Sequence, residues 1–340
     1  MFLMSRIVSR LGAISIKTGA LPLFSWSLAS RSSSESPVEV SVTEVLEKNE
    51  TQDLRAYIST HVDKGQKVFF MGEHHEQPRV LAAQLTILDE LAKQGPKQKR
   101  PIVVVTEQFN VMQQAMLQKF NEVSDEPQEG DEQAAAAKLL DDYAEDGTEG
   151  WDLTHYMPLL LLARHTRCKI VGGFPPRAWA RTISKEGIDA FREQQAQSIA
   201  STGFDRWDDL KCSPQHAAYL RSLMSGEPPA LVDEGQPQKS IHTAQAFKDA
   251  MLAFTIDKEL DENDIAPIVL VITGSGHCEY GFGGPERLRS PRSEDVNILI
   301  CKSNQESTIW KGEHWAGEAQ EVDRPVADAI FCYDQAVSEE

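Results

Sequence analysis

Five short apolar runs, rich in β-branched residues, alternate along the chain with segments whose apolar positions have helical spacing. The runs occupy residues 68–71, 101–106, 169–171, 267–273 and 296–301. A continuous apolar run is typical of a strand buried on both faces, and strands that alternate with helices form mainly parallel sheets. The sequence therefore predicts a three-layer α/β/α fold. Helical patterns without a strand between about residues 176 and 260 predict a helical subdomain inserted into this fold.

The N-terminal segment differs in composition from the rest of the chain. Its first 34 residues contain four basic residues, nine serines and no Asp or Glu, whereas the whole chain carries a net charge of −18. A basic, serine-rich segment without acids is typical of an organelle-targeting leader. We expect a mitochondrial leader; a plastid leader, a disordered arm and a misassigned start codon are the alternatives. The α/β domain is then expected at 35–334, followed by a tail at 335–340.

The charge balance limits the classes of partner. Phosphate binding needs a surplus of Lys and Arg, so 34 basic against 52 acidic residues argue against nucleic acid and against anionic lipid. No apolar run approaches the length of about 18 residues that spans a bilayer. The five cysteines are scattered and form no C-x-x-C pair, which favours reduced thiols over disulfides. We expect a small-molecule ligand, and a homodimer remains open.

Four of the predicted strands end in polar or glycine-rich clusters. Glu73 and His75 follow the first strand, Glu107 the second, a Gly-Gly pair the third, and His277 the fourth. In an open parallel sheet, ligands bind beyond the carboxyl ends of the strands, which lie at one edge. We therefore expect one cleft in which these two glutamates and two histidines are catalytic. Alternatively, His75, Glu107 and His277 are expected to bind a divalent metal there.

The remaining histidines and motifs point to less specific roles. His74 is expected to point away from His75, because neighbouring side chains alternate along a strand. His61, His216 and His314 are expected at the solvated surface. The sequence contains no HExxH motif, P-loop or G-x-S-x-G elbow, so the zincin, nucleotide-hydrolase and α/β-hydrolase classes lose support.

A series of sequence blocks keeps a specific order between residues 67 and 288. The blocks are Gly72-Glu73-His74-His75, Thr106-Glu107-Gln108-Phe109, Trp151, Tyr156-Met157-Pro158, Ala163-Arg164, Gly172-Gly173-Phe174-Pro175-Pro176-Arg177 and Gly274-Ser275-Gly276-His277. Their order resembles that of the ChaN haem-binding uptake family, within the ChaN/Tiki/erythromycin esterase superfamily. This resemblance implies an α/β/α core with a helical insertion, and haem binding in iron uptake. Because the chain has an expected organelle leader, we expect organellar haem or iron handling instead of uptake across an outer membrane.

The resemblance also implies which residues hold the cofactor. Tyr156 matches the tyrosine thought to hold haem iron in that family, and a phenolate is a suitable ligand for ferric haem. Arg164 and Arg177 lie in matching blocks and are expected to help bind haem.

The same superfamily implies an alternative function, a metal-dependent peptidase or esterase. The Tiki branch is similar in using two G-x-x-H motifs and a glutamate for metal-dependent peptide hydrolysis, which correspond here to His75, His277 and Glu107. The esterase branch is similar in using a His and Glu pair. The resemblance leaves open whether this chain is an enzyme.

Overall fold

A computed structural model describes residues 41–44, 51–123, 130–225, 239–290, 295–303 and 325–333. The expected leader (1–34), the expected tail (335–340) and His314 lie outside the described residues. Among the described helices, none combines the length and the apolar character needed to cross a bilayer.

The centre of the fold is an eight-stranded sheet. Its strands are β1 (Ser41–Glu44), β2 (Thr51–Asp53), β3 (Val68–Glu73), β4 (Ile102–Asn110), β5 (Lys169–Phe174), β6 (Ile268–Gly274), β7 (Val296–Ser303) and β8 (Ala329–Tyr333). Their spatial order is β2-β1-β8-β7-β3-β6-β4-β5. The six strands from β8 to β5 are parallel, and β1 and β2 add an antiparallel edge. The prediction of a mainly parallel sheet is therefore confirmed.

Nine α-helices of the described residues connect and cover these strands. They are α1 (Leu54–Asp63), α2 (Pro78–Gln98), α3 (Gln114–Asn121), α4 (Asp131–Asp146), α5 (Leu153–His165), α6 (Arg177–Glu186), α7 (Ile188–Thr202), α8 (Pro214–Ser225) and α9 (Ser240–Asp261). The last four occupy the stretch between β5 and β6, where the sequence predicts helices. Three of these helices, α6, α7 and α9, share a core with a cluster of aromatic rings that includes Trp179, Phe191, Phe204 and Phe247.

Side chains of the parallel strands alternate between two separate cores. Phe69 and Met71 of β3 join a core with helices α1, α2, α4 and α5 on one face of the sheet. Phe70 of β3 joins a core on the other face, with Leu252 and Ile256 of α9. Each such side chain, when fully buried, contributes about 1.5–3 kcal/mol. Helices on both faces of one sheet make the three-layer α/β/α fold that the sequence predicts.

The long helix α9 is buried on several sides rather than along one stripe. Its buried residues include polar ones, among them His242 and Asp249, in addition to Leu252 and Ile256. A helix that is covered all round lies in the interior of a fold. This position allows α9 to bring Asp249 and its neighbour Lys248 to the carboxyl ends of the strands.

Candidate functional site

Three neighbouring strands bring their polar ends together at one edge of the sheet. Glu73, the last residue of β3, pairs in register with Gly274, the last residue of β6. On the other side of β6, Thr106 of β4 pairs with Ile272. Because the three strands are parallel and adjacent, Glu73, Glu107 and the turn after Gly274 share one end of the sheet. The predicted convergence of these distant segments is therefore found in the fold.

Glu73 is the centre of the first half of the site. Its carboxylate is buried and accepts hydrogen bonds from His75 Nδ1 at 2.8 Å, the Tyr156 hydroxyl at 2.7 Å, Gln108 Nε2 at 3.1 Å and the Gln84 amide. A buried carboxylate is stable only when its oxygens are compensated in this way. The result is a fixed carboxylate that holds the His75 ring by one nitrogen.

His75 keeps its second nitrogen, Nε2, available for chemistry. Its side chain is 37% exposed and its ring lies against Trp151, with ring centroids 4.6 Å apart. Burial acts to lower the pKa of His75, but the hydrogen bond to Glu73 and the charge of Glu107 outweigh it and raise the pKa above its usual value. An imidazole with one nitrogen fixed by a carboxylate and the other facing outward is typical of a general base or a metal ligand.

Glu107 is the centre of the second half of the site. Its Oε2 atom accepts the backbone N–H of Gly274 at 2.7 Å and the Thr273 hydroxyl at 3.0 Å. Its Oε1 atom lies 3.8 Å from Lys248 Nζ and 3.9 Å from His277 Nε2. Burial raises the pKa of this carboxyl, but the charges of His277, Lys248 and His75 outweigh it and lower the pKa to about 2. Glu107 is therefore an anion at neutral pH.

His277 forms a second pair of a histidine and a carboxylate. Its Nδ1 atom lies 2.5 Å from Oδ1 of the buried Asp249, and its Nε2 atom lies 3.5 Å from Lys248 Nζ. The edge of the ring packs against Phe174, with ring centroids 4.9 Å apart. Lys248 Nζ also lies 5.1 Å from the centre of the Phe174 ring, within the range of a cation–π contact. Both histidines of the site thus have Nδ1 held by a carboxylate, and both lie beside Glu107.

Gly274 keeps a gap open between the two halves. A Cβ atom at this position would lie 3.0 Å from His75 Nε2 and 3.5 Å from Glu107 Oε2. The φ angle of Gly274 is −57°, which any residue can adopt, so the requirement for glycine is one of space. Glycine therefore keeps the space between the His75 imidazole and the Glu107 carboxylate free of a side chain.

Comparison with known proteins assigns the family. A family model described as haem-binding uptake, Tiki superfamily, ChaN matches residues 59–288, which is more than half of the chain. The chain belongs to this family. No curated protein matches the sequence at a significant level.

Three solved structures are distantly similar to this ChaN-family chain. The cofacial haem-binding ChaN of Campylobacter jejuni has 14% identity and a TM-score of 0.49, over 83% of this chain and 92% of that one. An erythromycin esterase mutant, EreC, in its open conformation has 12% identity and a TM-score of 0.40, over 78% and 76%. A Bacillus cereus protein has 12% identity and a TM-score of 0.31, over 77% and 72%.

Tyr156 differs from the iron ligand that the sequence predicts for this ChaN-family chain. Its hydroxyl is buried and donates to Glu73, and Glu76 N–H approaches it at 3.4 Å. Burial and the adjacent charge of Glu73 raise the pKa of Tyr156 far above its usual value. A phenolate is therefore strongly disfavoured in this arrangement. In this arrangement Tyr156 is a donor that stabilises Glu73, and its role as the ligand of haem iron stays a prediction.

The two arginines predicted to bind the cofactor make structural contacts. Arg164 lies about 12 Å further along α5 than Tyr156. Its guanidinium packs over the Phe120 ring and donates a hydrogen bond to the Phe120 backbone carbonyl. The exposed Arg177 bonds to Glu149 through its backbone N–H and its guanidinium, at 2.9 and 3.0 Å. Neither contact involves Glu73 or Glu107. Both arginines instead link segments of the fold that are distant in sequence.

The prediction that His61 and His216 lie at the solvated surface is wrong. His216 of α8 is completely buried and stacks on Phe282, and His61 of α1 is also buried, against the Tyr57 ring. His74, by contrast, turns away from His75 as expected, and its Nδ1 lies 2.8 Å from the Tyr333 hydroxyl.

The predicted metal ligands lie near one another without forming a metal site. Within the part of the chain that the structure describes, no group of three His, Cys, Asp or Glu side chains is arranged to hold one ion. The positive charge between Glu107 and His277 comes instead from the Lys248 ammonium. Lys248 and Asp249 are absent from the sequence-based predictions for this site.

Proposed function

We propose that this ChaN-family chain is a hydrolase that cleaves esters or amides by general acid–base catalysis without a metal ion. One observation carries this proposal: two imidazoles, each held at Nδ1 by a carboxylate, lie beside the same anionic Glu107 across the gap at Gly274. Paired acid–base groups with perturbed pKa values are typical of catalytic sites. The proposal keeps the hydrolase that the sequence predicts as its alternative function. In place of the predicted metal ion, the ammonium of Lys248 supplies the positive charge.

His75 is the general base in this proposal. Its neutral Nε2 accepts a proton from water while the water oxygen bonds to the substrate carbonyl carbon. The same proton then passes to the leaving alkoxide or amine as the bond from the acyl carbon to that group breaks. The exposure of His75 gives water access, and a pKa somewhat above the usual value suits a base that works near neutral pH.

Lys248 supplies the electrostatic stabilisation. The carbonyl oxygen gains negative charge when water adds, and a fixed ammonium beside it stabilises that charge. Lys248 Nζ lies 3.8 Å from Glu107 Oε1 and 5.1 Å from the centre of the Phe174 ring, so it has contacts on two sides. His277 lies 3.5 Å from the same ammonium and orients it through Nε2.

The test is hydrolysis of a panel of nitrophenyl esters and aminoacyl nitroanilides by the full chain after treatment with a chelator. We expect turnover that is insensitive to the chelator and falls about 100-fold or more in His75→Gln, as loss of a general base does. The adjacent His74→Gln variant is the control and should keep wild-type turnover. Absence of turnover across the panel would refute the proposal. Turnover lost with the chelator and restored by zinc would favour the metal-dependent alternative.

Haem binding is the second candidate, and membership of the family supports it. A cavity of about 640 Å³ lies beside the edge strand β5, within the range of about 300–1,000 Å³ usual for small-molecule sites. Its lining includes apolar Met112, Val171 and Phe254, and the cations of Lys169 and Lys258. The apolar residues suit the face of a flat ring. Lys169 and Lys258 are paired with Glu259 and Glu262 of the same lining, so the acidic side groups of haem would have to displace these two carboxylates.

A hemin titration separates the two positions for haem. If haem binds in the cavity beside β5, a Soret band shift persists in Tyr156→Phe and weakens in Met112→Ala. If haem binds at Tyr156 after a local rearrangement, the pattern is reversed. A titration with no Soret shift in the wild-type chain would refute haem binding altogether.

We also propose that residues 1–34 direct the chain to an organelle, the mitochondrion rather than the plastid. The proposal rests on their four basic residues and lack of acids. A fluorescent protein fused to residues 1–34 should accumulate in that organelle, and a cytosolic signal would contradict the proposal.

A further inference from the structure

Behind His277, a buried chain of charged groups continues away from the site. Asp249 binds His277 through Oδ1, but its second oxygen, Oδ2, is buried and has no hydrogen-bond partner among the described residues. A buried carboxylate oxygen without a donor is costly, by about 1–3 kcal/mol or more for a charged group. Such an atom needs an explanation in a native structure.

The group that faces this oxygen is His216. Its Nε2 atom lies 4.0 Å from Asp249 Oδ2, and it too is buried without a hydrogen-bond partner among the described residues. The two unsatisfied atoms therefore face one another, and a shift of about 1 Å would bring them to hydrogen-bond distance. One unsatisfied atom would be a defect, whereas a facing donor and acceptor compensate each other.

The other side of His216 is arranged so that Nε2 carries a proton. Its Nδ1 atom lies 2.5 Å from Glu286 Oε1, and the Arg287 guanidinium, which also binds Glu286, lies 3.5 Å from the same nitrogen. Burial lowers the pKa of His216, but hydrogen bonds to Cys212 and Glu286 and the charges of Glu286 and Asp249 outweigh it and raise the pKa to about 9. The imidazolium then donates from both nitrogens, to a carboxylate on each side.

The ring has little freedom to leave this position. It stacks in parallel on Phe282, with centroids 5.3 Å apart, and Arg287 is itself fixed by the Gly283 and Asp209 carbonyls at 2.8 and 2.9 Å. Asp249, Glu286, His216 and Arg287 thus form a buried group in which two negative charges meet two positive charges. This balance lets Asp249 stay ionised in the interior.

We propose that His216 is a positioning residue for His277, acting through Asp249. By donating to Oδ2 it fixes the orientation of the Asp249 carboxylate, which holds the Nδ1–H tautomer of His277 and turns Nε2 towards Glu107 and Lys248. A carboxylate that orients an imidazole in this way controls both its tautomer and its direction. A role of His216 in turnover rests on the proposed hydrolase function, but the positioning itself does not.

The test uses the full chain with ¹⁵N-labelled histidine, whose ring nitrogen shifts report the tautomer of each of the nine histidines. His216→Gln keeps an amide where Nε2 lies, and His216→Asn keeps one only where Nδ1 lies. We expect the Nδ1–H tautomer of His277 in the wild type and in His216→Gln, and its loss in His216→Asn. His61→Gln, a buried histidine of α1, is the control and should leave the His277 signals unchanged.

Two results would overturn the proposal. The first is a His277 spectrum that is unchanged in His216→Asn. The second needs no variant: a wild-type His216 that is neutral at pH 7, with an unprotonated Nε2, could not donate to Asp249. Turnover separates this proposal from the hydrolase. If the chain hydrolyses esters but His277 does not respond to His216, only the positioning fails; if His277 responds and nothing is hydrolysed, only the hydrolase fails.

Discussion

The Glu107 carboxylate accepts a hydrogen bond from the backbone N–H of Gly274 at 2.7 Å, although the two residues are 167 positions apart in the chain. This bond fastens the end of β4 to the end of β6. It also directs the other carboxylate oxygen towards Lys248 and His277. The backbone of one strand end thus orients the central anion of the site.

Gly274→Ala should reduce activity far more than stability. The added Cβ would lie 3.0 Å from His75 Nε2 and would push the imidazole away from Glu107. Displacement of a catalytic group by up to about 1 Å costs as much as 100-fold in rate, so we expect a loss of about 10-fold or more in kcat/KM. The backbone angle suits alanine, so Tm should change by only a few degrees.

Gly276→Ala is the matched control for this variant. Among the residues that the structure describes, its Cβ would meet only the Leu223 side chain, at 3.3 Å. Equal losses of activity in the two variants would show that the gap at Gly274 has no special role.

Glu107→Gln should alter how stability depends on pH. The folded-state pKa of Glu107, about 2, lies below its usual value of 4.5. Ionisation of Glu107 therefore stabilises the fold above pH 4.5, and this contribution is lost as the pH falls towards 2; its size is on the order of 3 kcal/mol. The glutamine variant should be less stable than the wild type at pH 7, and the difference should shrink below pH 4.5.

Urea unfolding between pH 2 and 7 measures this difference. Glu262→Gln, which removes an exposed carboxylate at the end of α9, provides the control. A difference between Glu107→Gln and wild type that stays constant across this range would contradict the lowered pKa.

The sequence could predict the parts of the site that follow strands, but not the parts supplied by helices. Glu107 and His277 stand directly after apolar runs, so the rule for parallel sheets places them together. Asp249 and Lys248 lie in the middle of α9, where buried polar and apolar residues show no simple periodicity. Their direction depends on how α9 packs on the sheet, which only the tertiary structure reveals.

The burial of His216 also could not be predicted from the sequence. Its neighbours in sequence, Gln215 and Pro214, indicate a polar helix start, and nothing local indicates burial. The contacts that bury it come from Phe282 and Glu286, about seventy residues away. The sequence patterns also do not predict β1, β2 and β8. The strands β1 and β2 are short and lack apolar runs, whereas β8 is a five-residue apolar strand at the end of the described chain.

Tyr156→Phe should lower stability without weakening haem binding in the cavity beside β5. The variant removes one of four donors from the buried Glu73 carboxylate. Loss of a hydrogen bond to a charged group costs about 1.5–3 kcal/mol, and Tm should fall by several degrees. Tyr57→Phe is the control for a buried tyrosine, since its hydroxyl accepts a neutral amide from Asn297 at 2.7 Å and should cost less. Equal effects of the two variants on Tm would contradict a special role of Tyr156.

Glu73→Gln should lower the pKa of His75. The hydrogen bond to Glu73 and its charge help to raise this pKa against burial, so a neutral amide leaves only the charge of Glu107 to oppose burial. Since His75 must be neutral to act as a base, the acid limb of the pH–rate profile should move to lower pH in the variant. The His75 signal in an NMR titration gives the same shift without a substrate.

Glu76→Gln is the control that decides this last prediction. Glu76 follows His75 directly in sequence, but its charge raises the pKa of His155 and is not among the main influences on the pKa of His75. Its removal should therefore leave the His75 titration in place. If both variants move the His75 titration equally, a general loss of negative charge around the site explains the raised pKa. If neither variant moves it, Glu73 does not control the base, and the pairing of His75 with Glu73 cannot tune it for catalysis.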